Sequence, residues 1–280
     1  MSRADKFVIG AILGYQAIDI ARRFFFDAVQ TSWAADCAAD RKALSPAALT
    51  ALQRDGVAIL DAGLSPQQLS AARTAAVAKI EHMSAEHGNA ANVRSDHVTW
   101  VRQHEHSDRE AQQEGLSPCI TLLRGLGAEL DEGAPHYVRT TRHRVPLDLQ
   151  LSCYDGGDTF YAPHRDNPSL NELSITNLGL KGWLEARHYR TRAVTALLYL
   201  NEQDWSDEDG GALRVYVDAE PDDMTGSTAT RVLSIKPTGG TLVLFDSHST
   251  LHEVMPTKRQ RFAISCWLQG ERSTDAADTK

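Results

Sequence analysis

The chain has 280 residues, 42% of them apolar, and a formal net charge of −8. That size suits one large domain, or a domain of about 220 residues with extensions, and the apolar share is ample for a core. The acidic balance, without any Lys/Arg-rich run, argues against a nucleic-acid-binding surface.

Phe7 to Ala21 is strongly apolar, yet it is short, contains Gln16 and Asp19, and runs into Arg22-Arg23-Phe24-Phe25-Phe26. A membrane-spanning helix needs about 20 predominantly apolar residues, and no small-residue cleavage site follows. Residues 1–43 are expected to form an amphipathic helical extension, docked on the globule, resting on a membrane surface or serving organelle import. A domain over 44–270 and a polar tail over 271–280 complete the expected organisation, in a monomer. Cys37, Cys119, Cys153 and Cys266 are isolated, with no C-x-x-C pair. Free thiols in a reducing, cytoplasmic setting are expected rather than a disulfide framework or a zinc site.

Three helix starts are written alike. Ser45-Pro46 offers an N-cap and a proline at the first helical position, with Leu44 and Leu49 as a staple. Ser65-Pro66 repeats this, and Gln68 completes a capping box; that helix is expected to reach about Glu86, before Gly88-Asn89. Ser117-Pro118 opens a third, ending near Gly133. Between the first two, Asp55-Gly56 turns into a short strand, Val57 to Leu60.

From about Leu147 the period becomes two. Leu147, Leu149, Leu151 and Cys153 share one face, against Asp148, Gln150, Ser152 and Tyr154 on the other. Val194 to Leu200 reads as a strand buried on both faces. Ala212 to Val217 follows Asp209-Gly210-Gly211, which suits a tight hairpin. Arg231 to Ile235, Thr241 to Phe245 and Arg261 to Leu268 complete the set, with Gly239-Gly240 as a turn. Helices first and strands after predict a mainly β, α+β fold: an antiparallel barrel or sandwich buttressed by helices on one side. Tyr154 would face the barrel mouth, and Arg261, Ala263, Ser265 and Trp267 would share one cavity-facing row. The long stretch from Asn167 to Arg192 has no strand pattern and is read as a lid or a surface insertion.

The chemistry starts from Tyr161-Ala162-Pro163-His164-Arg165-Asp166-Asn167-Pro168. An H-x-D pair alone is usually surface sequence. Here a distant His252 follows, in competition with His248, and then Arg261. Two histidines and one carboxylate describe a non-haem Fe(II) site with three neighbouring positions left open. A chelating 2-oxo acid and dioxygen would fill them. On a strand, residues i and i+2 face one side, so His164 and Asp166 could share a metal, with His252 arriving from another strand end. The far carboxylate of the 2-oxo acid calls for a forked donor, which Arg261 supplies.

Several blocks in register resemble a known family: Arg94-Ser95-Asp96-His97-Val98-Thr99-Trp100, His164-Arg165-Asp166-Asn167-Pro168, Arg192-Ala193-Val194-Thr195, Gly210-Gly211-Ala212-Leu213-Arg214, and His252 through Trp267. Over roughly Leu52 to Gly270 the sequence is similar to Fe(II)- and 2-oxoglutarate-dependent dioxygenases of prolyl 4-hydroxylase type, most of all the hypoxia-inducible-factor prolyl hydroxylases. The resemblance implies a double-stranded β-helix core of jelly-roll, cupin-like form. It implies His164, Asp166 and His252 as Fe(II) ligands, and Arg261 as the partner of the far 2-oxoglutarate carboxylate. Tyr199 and Ser265 would help hold that co-substrate, Tyr154 would lie beside the iron, and Arg94, Asp96, Arg192 and Trp267 would form a substrate-facing rim. Dioxygen, ascorbate as reductant and a protein substrate with a target proline are implied with them.

Two departures leave the substrate open. The segment between Pro168 and Arg192 is much longer than in the family, and the family's N-terminal zinc-finger module is not read here. Alternatives are an oxygenase of a small molecule, such as a free amino acid, and a non-catalytic barrel that binds a metal or a partner.

Overall fold

The computed structural model describes residues 42–85, 93–102, 115–135, 138–140, 148–166 and 192–272. The apolar segment from Phe7 to Phe26, most of the stretch between Asn167 and Arg192, and the tail over 273–280 lie outside the described residues. Among the described residues, no helix is long and apolar enough to cross a membrane.

The first helix, α1 (Pro46–Asp55), starts where capping chemistry puts it. The Ser45 hydroxyl accepts from the Ala48 N–H at 3.2 Å, and Gly56 ends the helix at φ 68° with its N–H on the Leu52 carbonyl. Such a cap contributes about 1 kcal/mol. The chain passes directly into β1 (Val57–Asp61). Helix α2 (Pro66–Ala78) carries the full capping box, with Ser65 and Gln68 exchanging side-chain and backbone bonds.

Two helix expectations need correction. α2 stops at Ala78 rather than near Glu86, because a single 3-10 turn (Ile80–His82) leads into β2 (Ser84–Ala85), whose backbone pairs with β3 (His97–Arg102). α3 (Ser117–Gly133) includes Ser117 instead of being capped by it. Leu116 occupies the cap position with no side-chain bond, held there because it is wholly buried.

The remaining strands are β4 (Val138–Thr140), β5 (Asp148–Tyr154), β6 (Thr159–His164), β7 (Arg192–Tyr199), β8 (Leu213–Val217), β9 (Arg231–Ile235), β10 (Thr241–Asp246), β11 (Leu251–Thr257) and β12 (Arg261–Arg272). One antiparallel sheet runs β1-β10-β7-β12-β5-β3-β2, with β4 beside β12; the other runs β6-β11-β8-β9. The expected hairpin at Asp209-Gly210-Gly211 is not one. β8 pairs with β11 and β9, and Gly210 bridges Thr257, so these glycines form a crossing point against β11. β3, β6 and β11 are strands the hydrophobic pattern did not single out.

Strand periodicity divides the larger sheet cleanly. Leu149, Leu151 and Cys153 of β5, Leu242 and Leu244 of β10, and Phe262, Ile264, Cys266 and Leu268 of β12 join the three helices in one core. Burying a side chain of this size stabilises by about 1.5–3 kcal/mol, so this layer dominates the fold's stability. The alternate residues, including Tyr154, Tyr199, Val243, Phe245 and Ala263, meet Leu213, Val215 and Val254 of the second sheet in another core. The helices therefore buttress one side, and the polar residues of the inner faces surround a cavity between the sheets.

Candidate metal centre and co-substrate pocket

His164 is the last residue of β6, and His252 is the second of β11, its direct partner in the ladder. Asp166 lies just past the strand end, in a bend. The idea that His164 and Asp166 share a strand face is thus corrected: the chain turns after His164 and brings the carboxylate round. One ligand atom from each of His164, Asp166 and His252 lies within 4.8 Å of the other two. Asp166 Oδ1 is 3.7 Å from His164 Nε2 and 3.9 Å from His252 Nε2. His248, the competitor, sits exposed in the preceding turn.

The donor set fits a metal in its protonation as well as its spacing. His164 Nδ1 is 2.8 Å from the Ala162 carbonyl, and His252 Nδ1 is 3.1 Å from the Thr250 carbonyl. A carbonyl only accepts, so each Nδ1 carries the proton and each Nε2 presents a lone pair to the shared space. Burial, reinforced by the neighbouring His252, pushes the His164 pKa down to about 3, which keeps it in the ligating form. Burial alone would raise Asp166. His252, His164, Arg192 and the Thr195 hydroxyl outweigh it and hold the carboxyl below its usual value, as an anion. Two imidazoles and a carboxylate with open neighbouring positions are the facial set of non-haem Fe(II).

The surroundings fix these groups. Asp166 Oδ2 accepts from Thr195 Oγ1 at 2.7 Å and from Trp267 Nε1 at 3.1 Å, which leaves Oδ1 toward the imidazoles. Thr195 Oγ1 is in turn 2.9 Å from Ser247 Oγ. Tyr161 stacks on His164 at 3.6 Å between centroids, and Phe245 lies 4.4 Å from His252.

Arg261 opens β12 on the same cavity, 1% exposed. Its Nε donates to the Gly211 carbonyl at 2.9 Å and its Nη2 to the Tyr199 hydroxyl at 3.2 Å. The guanidinium carbon lies 5.0 Å from the Tyr154 ring and 4.9 Å from the Tyr199 ring. A buried guanidinium costs several kcal/mol to desolvate. Its two hydrogen bonds, to a carbonyl and a hydroxyl, return about 1.5–3 kcal/mol each but bring no counter-charge. The balance favours an anion docking in the cavity against the fork.

Tyr154 and Ser265 line this cavity; Tyr199 is fully buried and meets it through Arg261. Of the expected rim, Arg192 packs 3.9 Å over the Trp267 ring and donates to the Asp166 carbonyl at 3.3 Å. Arg94 lies 4.4 Å over Tyr161. Asp96 borders the same cavity from a wholly buried position and holds Arg94 through two bonds of 2.7 and 2.8 Å. A buried carboxylate needs such a partner, and Arg94 supplies it. Thr195, Ser247, Tyr161 and Gly211 act at the site without having been singled out. Tyr161, Thr195 and Gly211 stand within the motifs given above but carry no role there, and Thr195, inside an apolar run, reads as core.

Residues 149–269 match the family model of the 2OG-Fe(II) oxygenase superfamily. The hypoxia-inducible factor prolyl hydroxylase of Caenorhabditis elegans is 27% identical over 192 residues, 68% of this chain; the chain spans 21% of that protein's length. A prolyl hydroxylase solved with a hypoxia-inducible factor oxygen degradation domain peptide, from Trichoplax adhaerens, superimposes with a TM-score of 0.59 at 20% identity, covering 83% of this chain and 91% of that one. A prolyl-4-hydroxylase from Pseudomonas putida gives 0.57 at 19% identity, covering 80% and 98%. These likenesses identify the two facing sheets as a double-stranded β-helix.

Proposed function

We propose that this chain, an enzyme whose residues 149–269 form a 2OG-Fe(II) oxygenase domain, hydroxylates a prolyl residue of a protein at its 4-position. One oxygen atom of dioxygen would enter the prolyl C–H bond, and the other would enter 2-oxoglutarate, which leaves as succinate and CO2. The observation that carries this reading is the pairing, in one cavity, of the His164, Asp166 and His252 cluster with the buried guanidinium of Arg261. The kinship with the Caenorhabditis elegans prolyl hydroxylase supports the choice of substrate.

His164, Asp166 and His252 would hold ferrous iron, which would supply the capacity to bind and reduce dioxygen. The chain does the rest. Arg261 takes the far carboxylate of 2-oxoglutarate, with Tyr199 fixing one arm of the fork and Ser265 and Tyr154 bordering the same space. Thr195 and Trp267 keep Asp166 turned toward the imidazoles. Trp267 with Arg192, and Arg94 braced by Asp96, form the walls against which a peptide would lie. Ascorbate would restore the ferrous state after turnovers uncoupled from substrate. Buried thiols at Cys119, Cys153 and Cys266 suit a reducing, cytoplasmic setting.

Protein loaded with Fe(II) is incubated with 2-oxoglutarate, ascorbate and a host proteome, with and without oxygen. Oxygen-dependent succinate release, together with one added oxygen atom on proline in mass spectra of the peptides, is the expected result. Succinate release accelerated by free amino acids, with proteome prolines unmodified, would replace the protein substrate by a small molecule. No succinate would remove the enzyme.

A further inference from the structure

Arg165 stands between His164 and Asp166 in sequence, yet its side chain reaches a different part of the fold. It is buried, and donates from Nε to the Ser249 carbonyl at 3.3 Å, from Nη1 to the Asp223 carbonyl at 3.1 Å, and from Nη2 to the Glu220 carbonyl at 2.8 Å. Met224 Sδ lies 3.4 Å from Nη1. Ser249 comes shortly before His252 in the chain. One planar fork thus ties the turn bearing His164 and Asp166 to the approach of His252, and both to the loop between β8 and β9.

That loop is stiff by construction. The Asp223 carboxylate accepts from the backbone N–H groups of Thr225, Gly226 and Thr228 and from the hydroxyls of Thr225 and Thr228. The Glu220 N–H donates to Thr228 Oγ1 at 3.0 Å, and the Asp223 N–H to the Glu220 carbonyl at 3.0 Å. Gly226, at φ 75°, packs so closely on Tyr216 that an added Cβ would stand 2.1 Å from the ring. The two carbonyls that receive Arg165 belong to this knot.

We propose that Arg165 is a positioning residue for the metal centre, and that the loop over 219–230 is its anchor. The inference rests on the oxygenase reading above. Metal binding must draw together donors now up to 4.8 Å apart, and every backbone turn already held in place lowers the entropy lost on doing so. A buried guanidinium needs acceptors in its own plane, so three carbonyls from two segments can satisfy it only when both segments keep their places relative to the turn that carries it. Loosening the loop frees the fork, and the freed fork no longer holds the two ligand-bearing turns.

Mn(II) is a redox-inert probe of the site, and its affinity is measured by equilibrium dialysis on the full chain. Arg165→Met and Asp223→Ala should each weaken Mn(II) binding on the order of 10-fold, as loss of supporting partners around metal ligands does. The double variant should bind no more weakly than Arg165→Met, because the loop acts through that side chain. Arg165→Lys, which keeps the charge and loses the fork, should recover only part of the affinity. Thermal midpoints of the metal-free variants separate this from general loss of fold, and Thr228→Val, a milder loosening, should give a smaller loss in the same direction if Asp223→Ala does not fold. Wild-type affinity in the loop variants, or losses that add in full, would overturn the proposal. A wild-type protein that takes up no Mn(II) would instead overturn the oxygenase reading on which it stands.

Discussion

Thr195 Oγ1 donates to Oδ2 of Asp166 at 2.7 Å, and this bond decides which carboxylate oxygen faces the two imidazoles. Thr195 lies in the middle of β7, two positions along the pleat from Leu197 and four from Tyr199, so the strand that fixes the carboxylate also carries the tyrosine beside Arg261. Ordering at the two ends of the cavity comes from one rigid element.

Replacing Thr195 by valine keeps the shape and removes the donor. Asp166 then holds one bond, from Trp267, and can rotate; Ser247 Oγ loses its neighbour in a buried place. Metal affinity should fall about 10-fold, and stability by about 1–3 kcal/mol for the buried groups left without a partner. Thr195→Ser should recover most of the metal affinity. Dialysis against a divalent metal checks the first and denaturant titration the second. Equal affinity in wild type and Thr195→Val would show that Asp166 needs no such support.

Arg261 should resist its most conservative exchange. Lysine keeps the charge, but it cannot donate to the Gly211 carbonyl, the Tyr199 hydroxyl and an incoming carboxylate from one plane. A charge-assisted hydrogen bond contributes about 1.5–3 kcal/mol, so Arg261→Lys should raise the KM for 2-oxoglutarate about 10- to 100-fold, with the metal affinity unchanged. Unaltered KM in that variant would move the co-substrate elsewhere in the cavity.

Much of this arrangement could be read from the chain, and the failures share a cause. The caps at Ser45 and Ser65 are local chemistry, decided within four residues, and they hold. Ser117 misled because the start of its helix is set by burial of Leu116, a tertiary matter. α2 is cut short by pairing of Ser84 and Ala85 with a strand beyond them in the chain. β6 escaped notice because every residue in it is half-buried, so it shows no alternation. The cluster itself was legible from residue types and spacing. The bond from Thr195 was not, since a hydroxyl inside the run from Val194 to Leu200 looks like any core threonine until the sheets face each other.

Acid should weaken the metal-free fold in a defined window. Burial places the His164 pKa at about 3, against 6.5 for the unperturbed side chain. Between those values the unfolded chain binds a proton that the folded chain refuses, so stability rises with pH across that span and is fully present above it. Asp166, lowered from its usual 3.8, adds a dependence of the same sign further down. Denaturant midpoints of metal-free protein should therefore fall as pH drops from about 7 to about 4.5, and His164→Asn should flatten the profile. A profile unchanged by that substitution would assign the acid sensitivity to other groups.

Gly211 is where the backbone and the proposed co-substrate pocket constrain each other. It stands at φ 69°, and an added Cβ would lie 2.8 Å from Thr257 Oγ1 and 3.1 Å from Arg261 Cδ, while its carbonyl already receives Arg261 Nε. Alanine there meets two penalties: a left-handed backbone costing about 1–3 kcal/mol, and a collision that Arg261 relieves most easily by leaning away from the Gly211 carbonyl. Gly211→Ala should thus lower stability and raise the KM for 2-oxoglutarate together. At Gly157, with φ 63° and nothing within 4 Å of an added Cβ, the same exchange carries only the backbone penalty, so it should lower stability alone. Steady-state kinetics and thermal melts of the two variants, read side by side, separate strain from displacement of Arg261; equal KM values in both would show that the Gly211 contact does not position the guanidinium.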